Sequence, residues 1–270
     1  MTLGMHAPYQ FNYTQQGDKE NPALLFLHGF MGSAADWPDV INSFSDEYLS
    51  IAVDLPGHGK TVVRGGAENY KMENCAAGLI YLMEELKVNK CNLVGYSMGG
   101  RLALYLAVHF PDRFGKVVVE SASPGLKTEQ ERQARIAQDE ELACRLEADS
   151  LEEFLGKWYE QPMFVSLKKD VGRFRKFLES RLDNDKVGLG LSLRMMGSGA
   201  QPSLWEELCK VKVPLLLIVG EKDDKFLKIG REMAAECKAA SLGIVSDAGH
   251  NVHFDNLKEY VKQISLFLKD

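Results

Sequence analysis

The chain has 270 residues, of which 45% are hydrophobic and 26% charged, with a net charge of −6. That is enough to bury a large core, and no block of basic residues argues for nucleic acid or an anionic membrane as the main partner. Five scattered cysteines (Cys75, Cys91, Cys144, Cys209, Cys237), with no Cys-X-X-Cys, exclude a disulfide framework and a thiolate zinc site. They suit reduced thiols in the cytoplasm. The first 22 residues are polar and lack the apolar run of a signal peptide, and Ala23–Leu27 and Val213–Val219 are too short for membrane insertion.

Tyr9–Thr14 alternates like an early edge strand, and residues 17–22 form a turn. Ala23–Leu27 reads as a buried strand ending in the loop His28-Gly29-Phe30-Met31-Gly32-Ser33, with a helix expected from Asp36 to Phe44. Leu49–Val53 is the next strand, closed by Asp54-Leu55-Pro56-Gly57-His58-Gly59, and Met72–Leu86 has helical spacing. A strand from Cys91, a helix through Leu102–Val108 and a strand Val117–Glu120 follow. This alternation predicts an α/β fold, a mostly parallel sheet with helices on both faces. From Thr128 to Gly199 the segments are helical without a convincing strand. The β-α rhythm resumes at Val213–Val219, then a helix to Cys237, a strand Leu242–Val245 and a last helix with the stripe Phe254, Leu257, Tyr260, Val261, Ile264, Phe267 and Leu268. The expected division is a core of residues 1–123 and 205–270, with a helical cap of 124–204 inserted over the C-terminal edge of the sheet.

The chemistry centres on Gly95-Tyr96-Ser97-Met98-Gly99, where an apolar strand ends and a helix begins at once. A turn this tight strains its central residue and brings strand and helix backbones together, so side chains at 95 and 99 would clash. It lifts the Ser97 hydroxyl clear of the sheet near unpaired helix N–H groups. Serine needs an imidazole within hydrogen-bond reach, and the imidazole needs a carboxylate to fix its tautomer. Asp223 and His250 each follow a late strand, in the order Ser, Asp, His expected for such a turn. His253 and, for the acid, Asp224 and Glu120 are the competitors. The oxyanion-hole donors expected are the N–H of Met98 and of Phe30, in the loop after the early buried strand. Tyr96 and Arg101 flank the turn and are candidate pocket residues.

His28-Gly29, the Asp54–Gly59 loop, the Ser97 turn, Asp223 and His250 together resemble the α/β-hydrolase family over nearly the whole chain. A narrower set, Glu120–Leu126, Trp158–Phe164, Gly220–Phe226 and Gly249-His250-Asn251, resembles the 2-succinyl-6-hydroxy-2,4-cyclohexadiene-1-carboxylate synthases of menaquinone and phylloquinone biosynthesis. The resemblance implies a lyase that eliminates pyruvate from a small tricarboxylate substrate, with Arg135 and Arg181 as anion clamps and Trp158 packing nearby. Arg132 and Arg173 are close competitors. Arginine suits the task because its fork can bind a carboxylate through two hydrogen bonds. No metal or organic cofactor is implied. A carboxylesterase or carbon–carbon bond hydrolase with the same triad is the alternative. Oligomeric state is not readable from the sequence.

Overall fold

The computed structural model describes residues 8–269, so His6 lies outside the described residues. Among the described residues nine strands are present: β1 Tyr9–Gln10, β2 Tyr13–Gln16, β3 Ala23–Leu27, β4 Leu49–Val53, β5 Val62–Val63, β6 Cys91–Tyr96, β7 Phe114–Glu120, β8 Leu215–Gly220 and β9 Ala240–Val245. Seven of them form the main sheet in the order β2-β4-β3-β6-β7-β8-β9. Only the β2–β4 pair is antiparallel. The α-helices are α1 Pro38–Ile41, α2 Met72–Glu85, α3 Met98–His109, α4 Glu129–Ala148, α5 Leu151–Trp158, α6 Val171–Glu179, α7 Lys186–Met196, α8 Asp224–Glu236, α9 Val252–Asp255 and α10 Leu257–Lys269.

The central strands are buried on both faces, which explains their continuous apolar runs. Leu25 and Leu27 of β3 join the core under α2, α3 and α8, while Leu24 and Phe26 join the opposite core under α1 and α10. A third core, built on Phe154, Leu155, Leu189 and Leu193, holds α5 and α7 together and reaches the sheet edge at Phe30 and Met31. Helix α4 buries little besides Asp139, Ala143 and Leu146, which accounts for its dense charge. Capping boxes at Thr128/Glu131 and Ser150/Glu153 start α4 and α5.

Three elements depart from the sequence pattern. The expected edge strand is broken between β1 and β2. Asn12 donates its side-chain amide to Asp54 and its backbone N–H to Thr61, which takes the chain out of the ladder. β1 then pairs with β5 in a separate two-stranded ribbon. The expected Asp36–Phe44 helix is a 3-10 turn, Ala34–Asp36, followed by the single turn of α1. Pro38 can start a helix but cannot continue one from the preceding turn. The last helix is interrupted at Asn256 between α9 and α10. Phe254 consequently leaves the sheet-facing stripe and packs under Arg173 and against Phe177 of α6.

Helix α7 is seated on the loop after β4 through a backbone contact. Gly57 has φ +83, and a Cβ there would lie 2.3 Å from the Gly188 carbonyl oxygen. Gly57→Ala should therefore destabilise the fold by about 2 kcal/mol, read as a fall in Tm of roughly 4–8 °C. Gly156, in the exposed face of α5, has nothing within 4 Å of such a Cβ. Gly156→Ala should raise Tm instead, because alanine favours the helix by about 1 kcal/mol. Thermal melts of the two variants check both signs.

Candidate active site

The site is built on the β6–α3 turn. A Cβ at Gly95 would lie 2.4 Å from the Gly99 carbonyl oxygen, and one at Gly99 would lie 2.3 Å from the Leu27 carbonyl oxygen. Only glycine permits this approach of β6, α3 and β3. Ser97 between them has φ 49° and ψ −105°. Strain of this kind costs on the order of 1–3 kcal/mol and persists only where the surroundings enforce it. Here the Ser97 N–H donates to the Glu120 carbonyl at 2.8 Å, and the Gly99 N–H donates to that of His28 at 3.0 Å.

Ser97 Oγ lies 3.1 Å from His250 Nε2, and His250 Nδ1 lies 2.7 Å from Asp223 Oδ2. The buried Asp223 also caps α8 by accepting the Phe226 N–H. The loops after β8 and β9 are held together because a Cβ at Gly220 would lie 2.1 Å from the Gly249 carbonyl oxygen. The Lys222 N–H donates to the Ala248 carbonyl across the same contact. With Nδ1–H directed at the carboxylate, Nε2 is left to accept the Ser97 proton. Asp224 is exposed. Glu120 and His253 are engaged with each other, His253 Nδ1 donating to Glu120 Oε2 at 2.7 Å, and neither enters the Ser97 array.

Phe30, in the loop after β3, and Met98, the first residue of α3, line the same cavity as Ser97. Among the described residues, neither N–H donates to a protein acceptor. His28 positions the Phe30 loop. Its Nδ1–H donates to the Gly29 carbonyl, and Nε2 accepts the Leu55 N–H at 2.9 Å. Burial lowers the His28 pKa, consistent with a neutral ring.

Ser97 and His250 open into a cavity of about 830 Å³ between the sheet edge and the helices α4–α7. Trp158, Tyr96, Arg101, Arg135 and Arg181 all line it. Tyr96 lies flat against Gly29, where a Cβ would be 2.6 Å from the ring. Trp158 meets Phe30 edge-on at 5.3 Å between centroids. Arg132 and Arg173 are not part of the lining; they pair with Glu129 and Asp39.

An α/β-hydrolase fold family profile matches residues 22–257. The chain belongs to the α/β-hydrolase family. A Bacillus subtilis (strain 168) protein, provisionally named a 2-succinyl-6-hydroxy-2,4-cyclohexadiene-1-carboxylate synthase, is 38% identical over 260 residues, 96% of this chain and 94% of that one. A Serratia proteamaculans (strain 568) protein named as the same synthase is 34% identical over 255 residues, 94% and 96% of the two chains. The solved structure of MenH from S. aureus superposes with a TM-score of 0.88 at 31% identity, covering 98% of both chains. The similarity to this branch of the α/β hydrolases thus includes the helical insertion.

The arginines of this α/β-hydrolase cavity are not equivalent. Arg181 is buried and ion-paired with Asp36 at 2.5 Å, and its guanidinium lies 3.9 Å above the Phe177 ring centre. Burial opposes its charge, yet Asp36 and the Tyr159 hydroxyl hold its pKa above the ordinary arginine value. Arg181, expected as an anion clamp, lines the cavity with its charge paired to Asp36. Arg135 pairs with the buried Asp139 at 2.7 Å. Arg101 has only neutral partners, donating to the Met196 carbonyl at 2.8 Å and to Gln201 Oε1 at 3.0 Å. Burial and the charge of Arg135 push its pKa down to about 10. Asp36 and Tyr159 went unnoticed in the sequence. Asp36 meets Arg181 across 145 residues, and no local pattern signals that pairing.

Among the described residues, no group of three or more His, Cys, Asp or Glu could hold a metal ion, and no helix is long and apolar enough to cross a membrane. What the array can do is deprotonate, through His250, either Ser97 itself or a substrate carbon acid next to it. A fluorophosphonate reagent should accordingly add once to the protein at Ser97. Intact-protein mass spectrometry should show that adduct, and should show none with Ser97→Ala and at least about 100-fold slower addition with His250→Ala.

Proposed function

We propose that the protein is a lyase that eliminates pyruvate from 2-succinyl-5-enolpyruvyl-6-hydroxy-3-cyclohexene-1-carboxylate to give 2-succinyl-6-hydroxy-2,4-cyclohexadiene-1-carboxylate. The observation that carries this reading is that the Ser97–His250–Asp223 array opens into a cavity where Arg101, a cation without a carboxylate partner, faces the Arg135 charge. Asp139 offsets the Arg135 charge, so Arg101, whose hydrogen-bond partners are neutral, is the cation at this wall most open to a substrate carboxylate. A tricarboxylate substrate supplies such groups, and relatives matching nearly the full length carry the name of this synthase.

In this reading residues 124–204 form a cap over a core of 1–123 and 205–270. His250 acts with Ser97 as the base that removes the proton α to the succinyl ketone. The carbon–hydrogen pair of electrons moves into an enolate, whose oxygen accepts hydrogen bonds from the Phe30 and Met98 N–H groups. Collapse of the enolate forms the ring diene and breaks the ring carbon–oxygen bond to the enolpyruvyl group, which leaves as the enolate of pyruvate and becomes pyruvate on taking up one proton, equal in number to the one His250 removed. Asp223 keeps Nδ1 of His250 protonated, so that Nε2 is the atom that takes the proton. Arg101, Arg135 and Arg181 hold carboxylates, with Trp158 and Tyr96 shaping the wall. Every group that moves a proton here belongs to the chain itself. The five free thiols support a reducing, cytoplasmic setting.

A hydrolase with the same array would acylate Ser97 and add water. The test is to supply the enolpyruvyl cyclohexene in ¹⁸O-labelled water. Pyruvate should appear one-for-one with the diene, with no label in the succinyl product. Rapid turnover of small activated esters with an acyl burst, and no pyruvate, would overturn the lyase reading.

The arginines predict different phenotypes. Arg181→Ala leaves the largely buried Asp36 unpaired and should cost roughly 3–5 kcal/mol of stability as well as activity. Arg101→Gln removes a charge that has no acid partner. It should raise KM by about 10-fold or more with little change in Tm. Steady-state kinetics alongside thermal melts separate the two.

A further inference from the structure

Glu120 ends β7 beside the elbow strand and is fully buried, yet it takes no part in the Ser97 array. Its groups reach both halves of that array. The main-chain carbonyl accepts the Ser97 N–H at 2.8 Å. Carboxylate Oε1 accepts the Val252 N–H at 2.6 Å and the His253 N–H at 3.1 Å, and Oε2 accepts the His253 Nδ1–H at 2.7 Å. Val252 lies two residues beyond His250. The His253 ring is stacked on Trp37 at 4.6 Å and meets Tyr96 edge-on at 5.0 Å. The Tyr260 hydroxyl is buried near the same carboxylate without a hydrogen bond of normal geometry.

We infer that Glu120 is a positioning residue, which fixes the distance between Ser97 and His250 by accepting the Ser97 N–H with its main-chain carbonyl and, with its carboxylate, the N–H groups of Val252 and His253 that follow His250 in the chain. This rests on the reading of Ser97 and His250 as the reacting pair. The buried carboxylate satisfies the first N–H groups of α9, which no intrahelical acceptor can reach. It receives the His253 imidazole as well, so its lone pairs are engaged on one rigid element. The other side of the His250 loop is tied by the Gly249 N–H donating to Asp255 Oδ2 at 2.7 Å, within the same short helix. The loop thus moves as one body with α9, and Glu120 is the group that anchors that body to the elbow strand. A carboxylate buried this deeply is costly unless all its bonds are made. A general hydrophobic anchor would serve the fold without that cost, whereas hydrogen bonds fix a distance.

Two variants test this. Glu120→Gln keeps the size and one acceptor but cannot accept from His253 Nδ1–H and both main-chain donors in the same way. Val252→Pro removes the 2.6 Å bond and leaves the Glu120 side chain unchanged, at the first position of α9, where proline suits a helix; it also changes a buried core side chain, which the Tm measurement monitors. Each is measured for Tm, for kcat and KM in pyruvate release, and for the rate of fluorophosphonate addition at Ser97. In folded protein, both should lower kcat and Ser97 labelling by about 10- to 100-fold while KM stays within about twofold, because a displacement near 1 Å is enough. The downfield proton signal of His250 Nδ1–H should shift or broaden in both. Wild-type kcat and labelling in a folded variant, with only Tm reduced, would overturn the inference and leave Glu120 a purely structural anchor. The labelling readout does not depend on the substrate. Loss of labelling in the variants with no pyruvate from the wild type would defeat the lyase reading and uphold the positioning role. If Glu120→Gln does not fold, Val252→Pro decides.

Discussion

The close approach of three backbones at Gly95 and Gly99 is the constraint on which the site depends. Because β6, α3 and β3 meet with no side chain between them, the chain has no relaxed way to pass from strand to helix. Ser97 absorbs the turn at φ 49°. The same contact places the end of β3 beside the start of α3, so Phe30 and Met98 line the cavity with Ser97; in the proposed function their N–H groups face the developing charge. Donors fixed in this way need no reorganisation when charge develops between them. The cost of the strained serine is met by the surrounding sheet, whose strands are buried on both faces.

A second backbone contact, at Gly220, does for the acid and the imidazole what the first does for serine. The loops after β8 and β9 are locked together, so Asp223 and His250 arrive at the sheet edge already aligned. Asp223 is buried, and its charge is tolerable because His250 and the Phe226 N–H satisfy both oxygens. Tyr96 links the two halves: its ring rests on Gly29 and faces both His250 and His253.

Local backbone rules made much of this legible in the sequence. Glycine spacing around Ser97, apolar runs of strand length and the return of the β-α rhythm after residue 213 all act over a few residues. The parallel sheet and the strand-end positions of Ser97, Asp223 and His250 could therefore be read directly. Features set by distant partners could not. Asn12 breaks the edge strand because it bonds to Asp54 and Thr61, and Phe254 leaves its helical stripe because Arg173 and Phe177 offer it a better surface. Pro38 is different in kind: its rule is local, and it splits Asp36–Phe44 into a 3-10 turn and a single helical turn.

The charges of the cavity follow the same division between local and distant. Arg181 reads as an anion clamp in the sequence, and the structure gives it a carboxylate partner distant in the chain, Asp36. A planar guanidinium has five N–H donors, and pairing with Asp36 does not exhaust them; its Nε is buried without a partner. Under the proposed function, Arg181 can therefore still donate to a substrate carboxylate, but as a directional contact from a neutralised pair and not as net charge. Arg135 is in the same position beside Asp139. The cation at the wall without a hydrogen-bonded carboxylate is Arg101, which sits one turn along α3 from Ser97. Attraction for an anionic substrate is then strongest next to the reacting serine, and the cap arginines orient what that attraction brings in.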